Sequence, residues 1–169
     1  MLLTTRQEER RLAFEQSVVR ETGRLYGLAL AVLDDAGEAE DAVQETMLSA
    51  WRAWSSLRDR TSQSAWLTRI CVRQCLRQQK RIRRLPALWG EDGSSVSALT
   101  EREDLRESLL SVSHALRSLS PPQRAMVVLH FGEGRTIMEC AELIGCRPGT
   151  ARSHLGRAVS RLRKELADG

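Results

Sequence analysis

Apolar residues recur at steps of three and four along most of this chain, and no stretch alternates convincingly as a half-buried strand. Phe14, Val18, Leu25, Ala29 and Leu33 share one stripe and predict a helix over residues 5–33, weakened but not stopped by Gly23 and Gly27. Asp34-Asp35-Ala36-Gly37 reads as a turn. A second helix is expected over 39–54, partly burying Ala42, Val43, Met47, Ala50, Trp51 and Trp54. After a polar loop over 55–64, a third helix over 65–84 turns Trp66, Ile70, Cys71 and Cys75 inward. The pattern then breaks between Leu85 and Thr100, where Pro86, Gly90, Gly93 and several serines mark a linker. It resumes with Leu109, Val112, Leu116 and Leu119 on one helix face. Ser120-Pro121-Pro122-Gln123 has the form of a capping box, with Ser120 as N-cap, and the helix it starts should end near Gly132 or Gly134. Residues 136–165 read as a helix, a tight turn at Gly145-Cys146-Arg147 and a second helix opening on Pro148-Gly149-Thr150. Ile137, Ala141 and Ile144 should pack against Ala151, Leu155, Ala158 and Leu162, as in a helix-turn-helix. The expected fold is all-α: two small helical domains, 1–84 and 105–169, joined by a flexible acidic linker over 85–104. Each domain should have its own modest core.

Charge divides the chain along the same lines. The net charge is +4 and the pI near 9.2. Residues 1–84 hold 15 basic and 11 acidic groups, residues 85–104 hold 1 and 5, and residues 105–169 hold 10 and 6. A basic balance suits nucleic acid without demanding it. Arginine outnumbers lysine 24 to 2, an excess that GC-rich codon usage explains better than selection does. No run approaches the length of a membrane span and the N-terminus has no signal-peptide core, so a cytoplasmic protein with reduced thiols is expected, with no membrane insertion of this chain.

Three surfaces carry candidate chemistry. The leading residues of a recognition helix reach base edges in the major groove. Here Arg147, Thr150, Arg152, Ser153, His154 and Arg157 hold those positions; Arg152 and Arg157 can fork onto guanine or hold a phosphate. The plainer alternative is a helical hairpin with a solvated basic face. Arg147 also occupies the expected N-cap, where Ser, Thr, Asp or Asn is preferred. The third helix is the second surface, with seven basic groups and no acidic one from Arg69 to Arg84. Arg69, Arg73, Arg77 and Lys80 or Arg81 recur near four-residue steps on one face, where like charges repel and a polyanion would relieve them. The second helix is the opposite case. Asp34, Asp35, Glu38, Glu40, Asp41 and Glu45 precede its first basic residue, Arg52. Such a helix carrying Gln44, Leu48 and Trp51 suits a protein partner; acids favouring the helix dipole explain Glu38 to Asp41 but not Trp51.

Together these surfaces resemble those of an extracytoplasmic-function (ECF) sigma factor of bacterial RNA polymerase. The resemblance rests on LYGLALAVLDDAGEAEDAVQETMLSAW and AWLTRICVRQCLRQQKRIRR in the first domain. In the second it rests on LRSLSPPQRAMVVLHFGEG and AELIGCRPGTARSHLGRAVSRLRKEL. It implies that residues 1–84 form a region 2-like domain and residues 105–169 a region 4-like domain. Asp41, Gln44, Glu45, Leu48 and Trp51 would bind the coiled coil of the largest polymerase subunit. Arg58, Arg60, Gln63, Trp66, Arg69, Arg73, Arg77 and Lys80 would hold and open the minus-ten promoter element, with a base flipped against the loop over 57–63. The C-terminal helix would read the minus-thirty-five element, and the acidic linker would run through the polymerase's RNA path. Core RNA polymerase, promoter DNA and a cognate anti-sigma factor are the implied partners.

Several positions depart from the family pattern. Arg73 stands where Asn is common, Arg77 where Asp is, Gln63 where an apolar residue is, Arg147 where a Ser cap is and Ala151 where Val is. The departures bear on promoter sequence, not on fold. Cys71, Cys75, Cys140 and Cys146 read as core cysteines rather than a metal site or a redox switch. His130 should pack beside Phe131. No acid–base–nucleophile cluster and no phosphate-cradling glycine loop is visible, so neither enzymatic activity nor a cofactor or metal is expected. Two rival readings remain: an autonomous helix-turn-helix regulator that dimerises on a palindrome, and a helical adaptor whose basic faces bind an acidic partner.

Overall fold

The computed structural model describes residues 2–57, 62–84 and 115–167, with side chains at 7–57, 62–81, 115–165 and 167. Among the described residues the chain is helical and forms no strand. The N-terminal part comprises α1 (Leu2–Leu33), α2 (Ala36–Ala53), a 3-10 turn at Trp54–Ser56, and α3 (Gln63–Arg84). The C-terminal part comprises α4 (Pro121–Val127), continued as a π-turn over Val128–Gly132, then α5 (Ile137–Ile144) and α6 (Pro148–Ala167). The expected linker and the Leu109–Val112 part of the next stripe lie outside the described residues.

Helix boundaries follow local chemistry more closely than apolar periodicity. The turn between α1 and α2 is tighter than the pattern suggests. Asp34 adopts the left-handed region, with φ 58°, and its N–H reaches the Leu30 carbonyl at 2.8 Å. Asp35 is then the N-cap of α2, its Oδ1 accepting from the Glu38 N–H at 2.8 Å, so the helix opens at Ala36 rather than Ala39. The Ser120 cap is as expected: its N–H donates to Gln123 Oε1 at 2.9 Å and Pro121 takes the first helical position. A second capping box starts α5. The Thr136 N–H donates to Glu139 Oε2 at 2.8 Å, and Thr136 Oγ1 accepts from the Glu139 N–H at 3.2 Å. Gly145 ends α5 with φ 82°, a conformation costly to any residue with a Cβ.

The two expected cores are in fact one. Leu25, Leu28, Ala29 and Val32 of α1 and Leu67, Cys71, Val72 and Cys75 of α3 form a buried cluster. That cluster continues without a break through Ala125, Met126 and Leu129, then Cys140, Ala141 and Leu143, to Ala151 and Leu155 of α6. The C-terminal helices lie directly on the N-terminal bundle, with α4 against α1 and α5 against α3. The physical reason is that the apolar stripes of α1 and α3 are broader than α2 alone covers, so burial favours docking a second layer.

Candidate nucleic-acid and protein interfaces

The acidic helix presents a clean division of faces. Ala39, Ala42, Val43, Thr46 and Ala50 of α2 are buried, while Asp41, Gln44, Glu45, Leu48 and Trp51 are exposed. Spacings of three and four put these five on one side. Trp51 is 39% exposed; its ring tilts against Phe14 at 5.1 Å, and the Arg10 guanidinium lies 5.2 Å from its centre. Its ring is thus held on one side by its own fold and open to solvent on the other. Beside it, a groove of about 680 Å³ runs between α2 and α3. Asp41, Gln44, Glu45 and Leu48 make one wall, with Arg77 and Arg81 on the other.

That groove corrects the single basic face expected on α3. Each four-residue step on a helix advances about 40°, so three steps from Arg69 to Arg81 rotate the stripe by about 120°. Arg77 and Arg81 consequently face the acidic wall of α2. Arg73 turns to the C-terminal part, its Nη2 donating to the Glu142 carbonyl at 3.1 Å. Arg69 is exposed and Lys80 lines a second pocket, described below.

The start of α3 is held from within. Gln63, expected in the loop as a DNA contact, is instead the first residue of α3, and it is buried with its amide donating to Ser17 Oγ. Ser64 Oγ donates to Glu21 Oε2 at 3.2 Å, and Arg24 Nη2 donates to Thr68 Oγ1 at 2.9 Å. Burial opposes ionisation of Glu21, but hydrogen bonds from Arg24, Ser64 and Arg20 outweigh it and hold the carboxyl below its ordinary value. Trp66 is half-buried, 6.2 Å from Trp54, which packs edge-on to Phe14 at 5.0 Å. The described residues on either side of 58–61 thus adjoin an aromatic stack on one side and a buried polar network on the other. Arg58 and Arg60 lie outside the described residues.

Arg147, just before α6, and Thr150, Arg152, Ser153 and Arg157 on it are all exposed, and Ala151, Leu155 and Ala158 are buried beneath them. Ser153 Oγ donates back to the Gly149 carbonyl at 3.0 Å. His154 differs from the rest. It is half-buried and lines a pocket of about 250 Å³ with Leu76, Lys80, Pro122, Ile144 and Cys146, facing α3. Burial, then repulsion from Arg157, lowers its pKa, so the ring is neutral at pH 7. His130 packs edge-on to Phe131 at 4.8 Å, as expected, with Nδ1 2.6 Å from the Arg135 carbonyl oxygen. Among the described residues no group of three His, Cys, Asp or Glu is arranged to hold a metal, and no helix is long and apolar enough to cross a membrane.

Residues that the periodicity did not single out join the two parts. Arg24 Nη1 donates to Glu133 Oε1, and Arg117 meets Asp34 at 2.9 Å. Ser17, Glu21 and Arg24 recur at steps of four and three beside Leu25 and Leu28. Polar groups on an apolar stripe were the available signal, because a buried charge requires a partner.

Comparison with known proteins places both parts in one lineage. Residues 18–85 match the family described as Sigma-70 region 2, and residues 109–162 match Sigma-70, region 4. The ECF RNA polymerase sigma factor SigM of Mycobacterium tuberculosis is 35% identical over 156 residues, covering 92% of this chain and 78% of that protein. The RNA polymerase sigma-E factor of Streptomyces coelicolor is 31% identical, with 92% and 86% covered. Among solved structures, the sigma factor RpoE in complex with the anti-sigma factor NepR from Bartonella quintana superposes with a TM-score of 0.73. It is 28% identical, with 92% of this chain and 97% of that one covered.

Proposed function

We propose a division of labour among the surfaces of this chain, which belongs to the ECF family of RNA polymerase sigma factors. As a sigma factor it binds core polymerase, directs it to specific promoters and initiates transcription. The observation that carries the residue assignment is the face of α2. Asp41, Gln44, Glu45, Leu48 and Trp51 are exposed together on a helix whose opposite side is fully committed to the core. That face binds polymerase. Arg69, Arg73 and Lys80, with Arg58 and Arg60, hold the minus-ten element by phosphate and base contacts. Gln63 and Trp66 support the opening loop from beneath instead of touching DNA. Arg77 borders the polymerase-binding groove. Arg147, Thr150, Arg152, Ser153 and Arg157 read the minus-thirty-five element in the major groove.

Residues 18–85 and 109–162 act as the two functional domains, with the intervening acidic segment following the RNA path. The protein works in the cytoplasm, catalyses nothing by itself, and has a cognate anti-sigma factor as the RpoE relative has NepR. Run-off transcription with purified core polymerase and a promoter library tests the assignment. Wild-type protein directs defined transcripts. Gln44→Ala with Glu45→Ala abolishes them by weakening polymerase binding while leaving binding of the full chain to minus-thirty-five DNA unchanged. Loss of both activities together would show misfolding and overturn the assignment of that face.

A further inference from the structure

Three polar groups that the fold leaves unspent line one small cavity. It lies where α3, the start of α4 and the turn between α5 and α6 meet the side of α6, and it holds about 250 Å³. Leu76, Pro121, Pro122 and Ile144 give it apolar walls, and Gln79, Lys80 and His154 add the polar ones. Gln79 and His154 are half-buried, yet neither has a hydrogen-bond partner among the described residues, and Lys80 has no ion-pair partner among them. Other glutamines of α3 are spent: Gln63 donates to Ser17, Gln74 to Ser49 and Gln78 to Glu38. Among the described residues no Asp or Glu lines the cavity.

The chemistry of this lining selects its occupant. Lys80 repels a second cation, and a purely apolar molecule would cover the ammonium without pairing it. Inorganic phosphate would pair with the ammonium but would lose hydration against the apolar walls. A carboxylate with an apolar body satisfies both halves. Its acid group takes a charge-assisted hydrogen bond from Lys80, with the Gln79 amide as a second donor, and its body is buried against the walls. Size agrees. A cavity of about 150 Å³ is enough for benzene. One of about 250 Å³ therefore takes such a ring with a carboxylate attached. Mostly apolar walls with a few polar groups are the make-up of small-molecule sites.

We propose that this cavity is a binding site for a small carboxylate with an apolar body, its acid group held by Lys80 and Gln79 and its body against Leu76, Pro122 and Ile144. The site goes beyond the polymerase- and promoter-directed surfaces, and it uses the Lys80 charge whether or not Lys80 also meets DNA. His154 supplies a reporter on the same wall. Burial, then Arg157, holds its ring below the ordinary value, and among the described lining residues the one permanent charge is that of Lys80, also positive. A bound carboxylate brings a negative charge to the ring and shifts its titration upward.

The test uses the full chain without polymerase or DNA, so its outcome is separate from the sigma-factor assignment. Isothermal titration calorimetry with benzoate gives the affinity. Histidine ring signals in NMR give the titration, with His154→Asn identifying the right one. Benzoate should bind one site per chain with a dissociation constant on the order of 0.1–1 mM. Benzamide keeps the ring and loses the charge; inorganic phosphate keeps charge and loses the ring. Each should bind at least about tenfold more weakly. Lys80→Gln should weaken benzoate about tenfold. Because Lys80 is exposed and has no ion-pair partner among the described residues, that variant should melt like the wild type. If it melts lower, Lys80→Met, which keeps the aliphatic stem, is judged by the same criteria. Saturating benzoate should raise the His154 titration midpoint and leave that of His130 in place. No saturable binding below about 10 mM overturns the proposal. So does phosphate or benzamide binding as tightly as benzoate, or benzoate binding that is indifferent to Lys80→Gln. Benzoate that binds without moving His154 sits elsewhere and overturns it too.

Discussion

Truncating Leu48 isolates the polymerase-facing role proposed for α2 from its structural role. Leu48 is 51% exposed, on the wall of the groove that also holds Gln44 and Glu45. Burying a leucine side chain completely stabilises by about 1.5–3 kcal/mol. Half of that is already realised within the fold, and the other half, roughly 0.8–1.5 kcal/mol, is left for a partner to gain. Leu48→Ala should therefore weaken binding to core polymerase roughly four- to twelvefold. Since α2 leaves open space around this side chain, its removal creates no internal cavity, and the fold should lose about 1 kcal/mol at most. Leu67, 1% exposed on α3, is the contrasting case: Leu67→Ala should cost about 2–5 kcal/mol of stability. Titrating labelled protein with core polymerase gives the affinity, and thermal melting followed by circular dichroism gives the stability. Unchanged affinity in a Leu48→Ala protein that melts normally would refute the assignment of this face. A melting temperature as low as that of Leu67→Ala would refute the claim that the side chain is free.

The cap of α5 should be worth about 1 kcal/mol, so Thr136→Ala should lower the melting temperature by several degrees, measured by circular dichroism. Arg152→Ala and Arg157→Ala should each weaken binding to minus-thirty-five DNA without moving the melting temperature. A guanine contact loses about 1–3 kcal/mol and relaxes specificity at one base pair, whereas a phosphate contact reduces the salt dependence instead; competition with mutated duplexes at two salt concentrations tells them apart. Glu21 ionises more readily when folded than when unfolded, so it contributes stability above its ordinary value of 4.5 that is lost as pH falls through the lower folded value. Melting curves should accordingly fall more steeply with acid in the wild type than in Glu21→Gln. Cys71, Cys75 and Cys140 are fully buried; burial pushes the Cys140 thiol up to about 11, and the hydrogen bond that the Cys75 thiol donates to Cys71, together with burial, raises Cys75 further. A thiol reagent at pH 8 should modify only the half-buried Cys146 in the native protein and all four cysteines after denaturation.

The parts of this molecule that were legible from the sequence are those whose physics is local. The exposed face of α2 follows from steps of three and four within one helix, and the Ser120 cap from four consecutive residues. Helix α2 starts three residues before its apolar pattern does, because the side chain of Asp35 caps it where the pattern suggests a turn. The cap on α5 is also local, in the spacing of Thr136 and Glu139. The arginine stripe of α3 is less simple than its spacing suggests. Four-residue spacing marks neighbours along a helix, but the drift of about 40° per step makes a long row into a spiral that serves different neighbours in turn. Arg73 meets α5, while Arg77 meets the acidic wall of α2.

Docking of the two parts is a different kind of quantity. It depends on how well two separately formed surfaces fit, and no window of sequence contains both. Yet the sequence carried a demand for it. Glu21 and Arg24 sit on the side of α1 that also buries Leu25 and Leu28, and desolvating a charge without partners costs far more than one methyl group returns. A helix with such a stripe must find acceptors and donors from elsewhere. Ser64 and Thr68 of α3 meet part of that need, and Glu133, more than a hundred residues further along, meets the rest. Arg24 thus ties the two parts together while keeping partners of its own on α1 and α3.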